Sequence, residues 1–128
     1  MVKYRLAKPG GEYNRLYSLM EQEGGKKEPL GWPVVVAEEH GRAIGFLATY
    51  PTEEALIAGP LVIEGGKRPF VFIRLVDAYE NLLRLAGVTT YCFRVDKTNT
   101  KRISQVNEFG GEQIGETADY VMYKRNIV

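Results

Sequence analysis

The 128 residues contain one cysteine, one histidine and one tryptophan. A lone cysteine, Cys92, excludes an internal disulfide and any zinc site built on cysteines, and no metal centre is expected. It falls inside an apolar strand-like run with no histidine to activate it, which reads as a buried, inert thiol. Imidazole chemistry has one candidate, His40. It sits in a Glu39-His40-Gly41-Arg42 turn, with nothing nearby in sequence to orient it as base or ligand, and reads as a solvated turn residue. Excess charge is also lacking: 17 basic and 16 acidic residues leave a net charge of +1. Bulk charge therefore points to neither nucleic acid nor a membrane surface as a partner. There is no long apolar run, signal-peptide pattern, internal repeat or low-complexity tract. A reducing, cytoplasmic setting is expected.

What is present is an ordinary globular composition, 45% hydrophobic and 26% charged. The length suits one domain, residues 1–128, with a real core. Many of the 14 glycines fall in pairs, Gly10-Gly11, Gly24-Gly25, Gly65-Gly66 and Gly110-Gly111, and punctuate the elements. Residues 4–7 read as a strand. Glu12 to Glu23 has helical spacing, with Tyr13, Leu16, Tyr17 and Met20 on one face. After a glycine-rich loop stiffened by Pro29 and Trp32-Pro33, residues 34–38 and 43–50 read as a hairpin with Gly41 at positive φ. Trp32 is expected to cap the core. Gly45, inside the second hairpin strand, marks a close approach of another segment.

The chain turns on residues 60–87. An apolar run from Leu56 to Ile63 is a buried strand. Gly65-Gly66-Lys67-Arg68-Pro69 is a turn, and Phe72, Leu75, Val76, Tyr79, Leu82, Leu83 and Ala86 follow at helical spacing up to Gly87. A glycine and cation turn leading into a helix suits an anion, because the first N–H groups and the positive dipole end point at the turn. A plain strand-to-helix joint with solvated cations would look the same. Residues 89–95 form the next strand, 100–109 a short helix with Ile103 and Val106 inward, and 112–116 and 118–124 two last strands. The order β α β β β α β α β β predicts an α/β (α+β) fold. Its sheet is mixed and mostly antiparallel, with helices on both faces and a central right-handed β-α-β crossover.

This order resembles the GNAT superfamily of N-acetyltransferases over nearly the whole chain. In that family the loop after the fourth strand, Arg/Gln-x-x-Gly-x-Gly/Ala, cradles the pyrophosphate of acyl-CoA. Leu61, Val62 and Ile63 match the strand that meets the pantetheine arm. Lys67 stands at the family's Arg/Gln, Val88 to Val95 match the following strand, and Asn99 matches the asparagine after it. Phe109-Gly110-Gly111 is similar to the Gly-Phe ending. Arg68, Phe70 and Phe72 take the places of the small loop residues, where a phenylalanine would crowd the backbone's approach to pyrophosphate. Pro69 removes an N–H, and Val106 stands where the family often has a tyrosine acid.

The resemblance implies acetyl-CoA as co-substrate, held by Leu61, Val62, Ile63, Gly65, Gly66, Lys67, Arg68, Phe70, Asn99 and Arg102, with Arg74 and Lys101 as further cations. It implies an acyl group passed to an amine of a small molecule or peptide. Glu64, at the strand's mouth, is the candidate base. Tyr120 and Tyr123, with Tyr91 behind them, are the candidate acids. A GNAT-like domain that has lost transfer and works as a binding or structural module is the alternative, favoured by the altered loop. The apolar stretch from Tyr120 to Ile127 is a candidate homodimer edge.

Overall fold

The computed structural model describes residues 1–53, 55–65, 68–108 and 111–127. The elements are β1 (Val2–Leu6), α1 (Glu12–Gln22), β2 (Gly31–Glu39), β3 (Arg42–Tyr50), β4 (Ile57–Ile63), α2 (Pro69–Leu85), β5 (Thr90–Asp96), α3 (Thr100–Glu108), β6 (Glu112–Glu116) and β7 (Tyr120–Asn126). They form one seven-stranded sheet in the order β1-β2-β3-β4-β5-β7-β6, antiparallel except for β4 beside β5. The strand and helix order is the one the periodicity predicts. Among the described residues no helix is long and apolar enough to cross a membrane.

Alternation along β2 and β3 splits the core into two layers. Val35, Ala37, Ile44 and Leu47 pack with Val71, Leu75, Tyr79 and Leu83 of α2. Val34, Val36, Phe46 and Ala48 face the other way and bury Leu16, Leu19 and Met20 of α1. α3 lies on the α2 face, where Ile103 and Val106 cover Val95, Val121 and Tyr123. The β2–β3 turn has both His40 (φ 52) and Gly41 (φ 77) in the left-handed region, as a type I′ hairpin requires.

Three expectations change. β2 begins at Gly31, so Trp32 lies within a strand, and its side chain is 66% exposed and caps no core. Cys92 is half-buried. β7 is paired on both sides, with β5 and with β6, so it has no free edge to offer a second copy; the free edges of the sheet are β1 and β6. An apolar strand is as well explained by an interior position as by an interface, and only pairing distinguishes them.

Candidate functional site: an opening between two strands

The parallel pair β4 and β5 is joined only at its start, by Ile57↔Cys92 and Ala58↔Phe93 among the described residues. Beyond that point β4 continues along β3 while β5 continues along β7. Gly59, at φ 133, and Pro60 follow directly on the last pair with β5, Ala58↔Phe93, and mark where the fork begins. The direction of the backbone groups beyond it follows from the ladder. The Glu64 N–H donates to the Ile44 carbonyl at 2.7 Å. Antiparallel residues alternate in the side to which they turn their N–H and C=O, so in the register Phe46↔Val62 it is Leu61 and Ile63 that turn theirs toward the fork. Gly45 lets β3 come close here: a Cβ on it would lie 3.0 Å from the Val62 carbonyl oxygen.

The fork opens into a cleft of about 1490 Å³. One side is made by the end of α1 and the loop after it, from Met20 to Glu28. The other is made by Arg68 just before α2, by Phe72 and Ile73 of α2 and by Asn99, Lys101 and Arg102 at the start of α3. Since α1 and α2/α3 lie on opposite faces, the cleft runs through the sheet between the parted strands.

The α2/α3 side is cationic. α2 has no acidic residue in its first turn and no side-chain cap, and Pro69 stands near its start. The Phe72 N–H is bonded to the Arg68 carbonyl at 3.0 Å, so the α2 ladder is in place from Phe72 onward, and the positive dipole end of the helix faces the Arg68 side. Arg102 is part-buried, 4.4 Å above the Phe72 ring, and has no ion-pair partner among the described residues. Burial pushes its guanidinium below the usual arginine value. Asn99 caps α3, its Oδ1 accepting the Arg102 N–H at 3.1 Å. Arg68 reaches Glu39 at 3.5 Å while lining the cleft.

The structure thus brings Leu61, Val62, Ile63, Arg68, Asn99, Lys101, Arg102 and Tyr120 to one cleft. Gly65 lies in the turn after β4 with φ 78, and Gly66 and Lys67 fall outside the described residues. Phe70 is 82% exposed and, like the exposed Arg74, does not line the cleft. It therefore neither binds nor crowds there.

Two of the catalytic candidates are held by other partners. Glu64 is poorly suited to take a proton: Arg15 donates to its Oε2 at 2.8 Å and Arg42 donates to both oxygens. These bonds, with that from Arg15 the largest influence, hold its carboxyl below the usual range, and it does not line the cleft. Tyr123 is no acid. It is fully buried, stacked on Phe93 at 5.3 Å, and its hydroxyl pairs with Asn107 at 3.3 Å under α3. Tyr91 is likewise committed, donating to Glu80 Oε2 at 2.7 Å, and burial first, then the Glu80 carboxylate, push its phenol well above the ordinary value. Tyr120, on the opposite side of β7, is the one of these phenols in the cleft.

Sequence reasoning missed Arg94. Its guanidinium lies 4.9 Å from the Tyr50 ring centre and 4.5 Å from that of Tyr120, and it pairs with Glu28. A cation in the middle of an otherwise apolar strand was the available signal. A second, smaller cavity of about 600 Å³ lies beside it, walled by Trp32, Thr49, Tyr50 and Leu56.

No family model matches the chain, and no curated protein sequence does. Solved structures do match in shape. The ribosomal-protein-S18-alanine N-acetyltransferase from Escherichia coli superimposes with a TM-score of 0.79 at 13% identity, over 99% of this chain and 94% of that one. Ard1 from Thermoplasma volcanium gives 0.79 at 15% identity, over 99% and 98%. The aminoglycoside 6'-acetyltransferase type Ii gives 0.73 at 15% identity, over 100% and 97%. At this identity the likeness speaks for architecture: the chain has the fold of the GNAT acetyltransferases.

Proposed function

We propose that the chain is an N-acyltransferase that moves an acetyl group from acetyl-CoA to an amine of a small molecule or protein. The observation that carries this reading is the opening through the sheet, cationic on the α2/α3 side and reachable from the α1 side. The residues present fit the co-substrate. Arg68, Lys101 and Arg102, with the positive dipole end of α2, suit its phosphates. The half-buried Arg102, without an ion-pair partner among the described residues, is the strongest of these, since a desolvated cation gains most from an anion. When bound, acetyl-CoA supplies a thioester whose acyl carbon an amine attacks.

The chain's own part is to bind, orient and move protons. The edge of β4 from Leu61 to Ile63 offers N–H and C=O groups to an extended arm, as a neighbouring strand would, and one such N–H polarises the thioester carbonyl. The Tyr120 phenol donates a proton to the leaving thiolate. Of the carboxylates that line the cleft, Glu28 is engaged with Arg94 and Asp96 with Thr98, which leaves Glu23, Asp119 or solvent to take the ammonium proton of the acceptor. The neighbouring folds act on a ribosomal-protein alanine and on an aminoglycoside, and an amine of either kind falls within the proposed class.

The second reading, a binding module without transfer, draws support from Pro69 and from the absence of loop glycines. The outward turn of Phe70 weakens that support. Thermal melting with acetyl-CoA tests the proposal. A ligand at 100 times its Kd raises stability by about 2.7 kcal/mol, and Arg102→Ala should cut the affinity about tenfold or more. No shift at about 1 mM acetyl-CoA, the top of the usual KM range, would reject binding, and with it the transfer reading.

A further inference from the structure

Arg94 is the first β5 residue beyond the last β4 pair, Ala58↔Phe93, so it stands at the vertex of the fork. Tyr91, Phe93 and Val95 pack on the α2/α3 face, which puts Arg94 on the α1 face by alternation. Two aromatic rings flank its guanidinium, and its side chain is 23% exposed. Its carboxylate partner, Glu28, comes from the irregular segment between α1 and β2. Glu28 and Tyr120 line the large cleft and Tyr50 lines the smaller cavity, so Arg94, behind Glu28 and lining neither space, stands between the two.

A guanidinium held between rings is fixed in plane and stripped of much of its water, and it needs a carboxylate in front of it. Another partly buried cation, Arg5, has two carboxylates, one from α1 and one from β2, both regular elements. Arg94 takes its carboxylate from a loop, where exchange for another carboxylate breaks no helix or strand. We propose that Arg94 recognises a carboxylate on the acyl acceptor, and that Glu28 holds this place until the acceptor enters. The acceptor class is then an amine that also carries a carboxylate, such as an amino acid. Its role as acceptor rests on the transfer reading above. With its carboxylate on Arg94, its amine lies at the vertex, next to Tyr120 and the Leu61–Ile63 edge.

The test measures binding without turnover, by calorimetry, using N-acetylalanine and N-acetylalaninamide, which differ in the carboxylate alone. The wild type should bind the acid more tightly than the amide. Arg94→Gln should weaken the acid about tenfold or more and leave the amide unchanged. Glu28→Gln should tighten the acid, because its competitor is gone; a mere loop anchor would give no such gain. Equal binding of acid and amide, no binding of either to Glu28→Gln, or weaker acid binding by Glu28→Gln would overturn the proposal. Acetyl-CoA melting is run on the same proteins. A cofactor shift without acid binding rejects the carboxylate site alone, whereas acid binding without a cofactor shift keeps the site and rejects acyl transfer.

Discussion

Replacing Glu80 by glutamine should destabilise the fold by an amount that depends on pH. Glu80 sits on the buried face of α2, and its side chain is 3% exposed. Tyr91 donates to its Oε2 at 2.7 Å, Arg125 Nη2 donates to its Oε1 at 3.1 Å, and Arg84 stands 3.7 Å away. Burial alone would push this carboxyl up; the bonds from Arg125 and Tyr91 outweigh it and hold it low. A glutamine can still accept from Tyr91, so the loss is chiefly that of charge-assisted bonding. Such bonds contribute about 1.5–3 kcal/mol when buried. Arg125 and Arg84 are nearly half exposed and re-solvate when freed, which lowers the expected cost of Glu80→Gln to about 1–2 kcal/mol. Glu80→Leu strands the buried Tyr91 hydroxyl as well and should cost about 1–3 kcal/mol more.

The sign with pH follows from the direction of the shift. The folded carboxyl titrates below its unfolded value, near 4.3, so its contribution is complete above that value. It is lost as pH falls through the folded pKa. Urea unfolding of wild type and Glu80→Gln, followed by intrinsic fluorescence, should show the full difference at about pH 7 and a smaller one below about pH 4. A difference constant across that range, or a neutral substitution at pH 7, would refute the account of Glu80 as a buried charged acceptor.

Further outcomes concern the site. Tyr120→Phe should lower thiol release from acetyl-CoA about a hundredfold while leaving the melting shift with CoA intact; full activity would remove Tyr120 as proton donor. Glu64→Gln should retain turnover, because its carboxylate serves Arg15 and Arg42 outside the cleft; loss of turnover in a folded variant would restore it as a base. Gly45→Ala drives a methyl group to 3.0 Å from the Val62 oxygen, and urea unfolding should show a loss of about 1–3 kcal/mol. The same substitution should reduce the CoA-dependent shift, since it moves the β4 edge; an unchanged shift would separate that edge from the cofactor site.

The sequence by itself determined the succession of elements, the β2–β3 hairpin and the amphipathic face of α2. These rest on periodicity and turn chemistry acting over a few residues: Leu75, Tyr79 and Leu83 are buried because they recur along one helical face. The Gly59-Pro60 pair is a local mark of the place where regular pairing with β5 stops. Most of the β4 edge and the α3 cations were readable for the same reason, as they follow in order along strand–turn–helix joints. The tertiary structure alone decided which polar side chains are free. Tyr120 and Tyr123 belong to one strand and differ by which face α3 covers. Glu64 loses its chance as a base to Arg15 and Arg42, which reach it from α1 and from the start of β3. Arg94 becomes a site through Glu28, Tyr50 and Tyr120, which come from three separate segments. The physical reason is common to all three. A side chain's charge and exposure are set by neighbours brought together by packing, and those neighbours leave no period in the sequence around it.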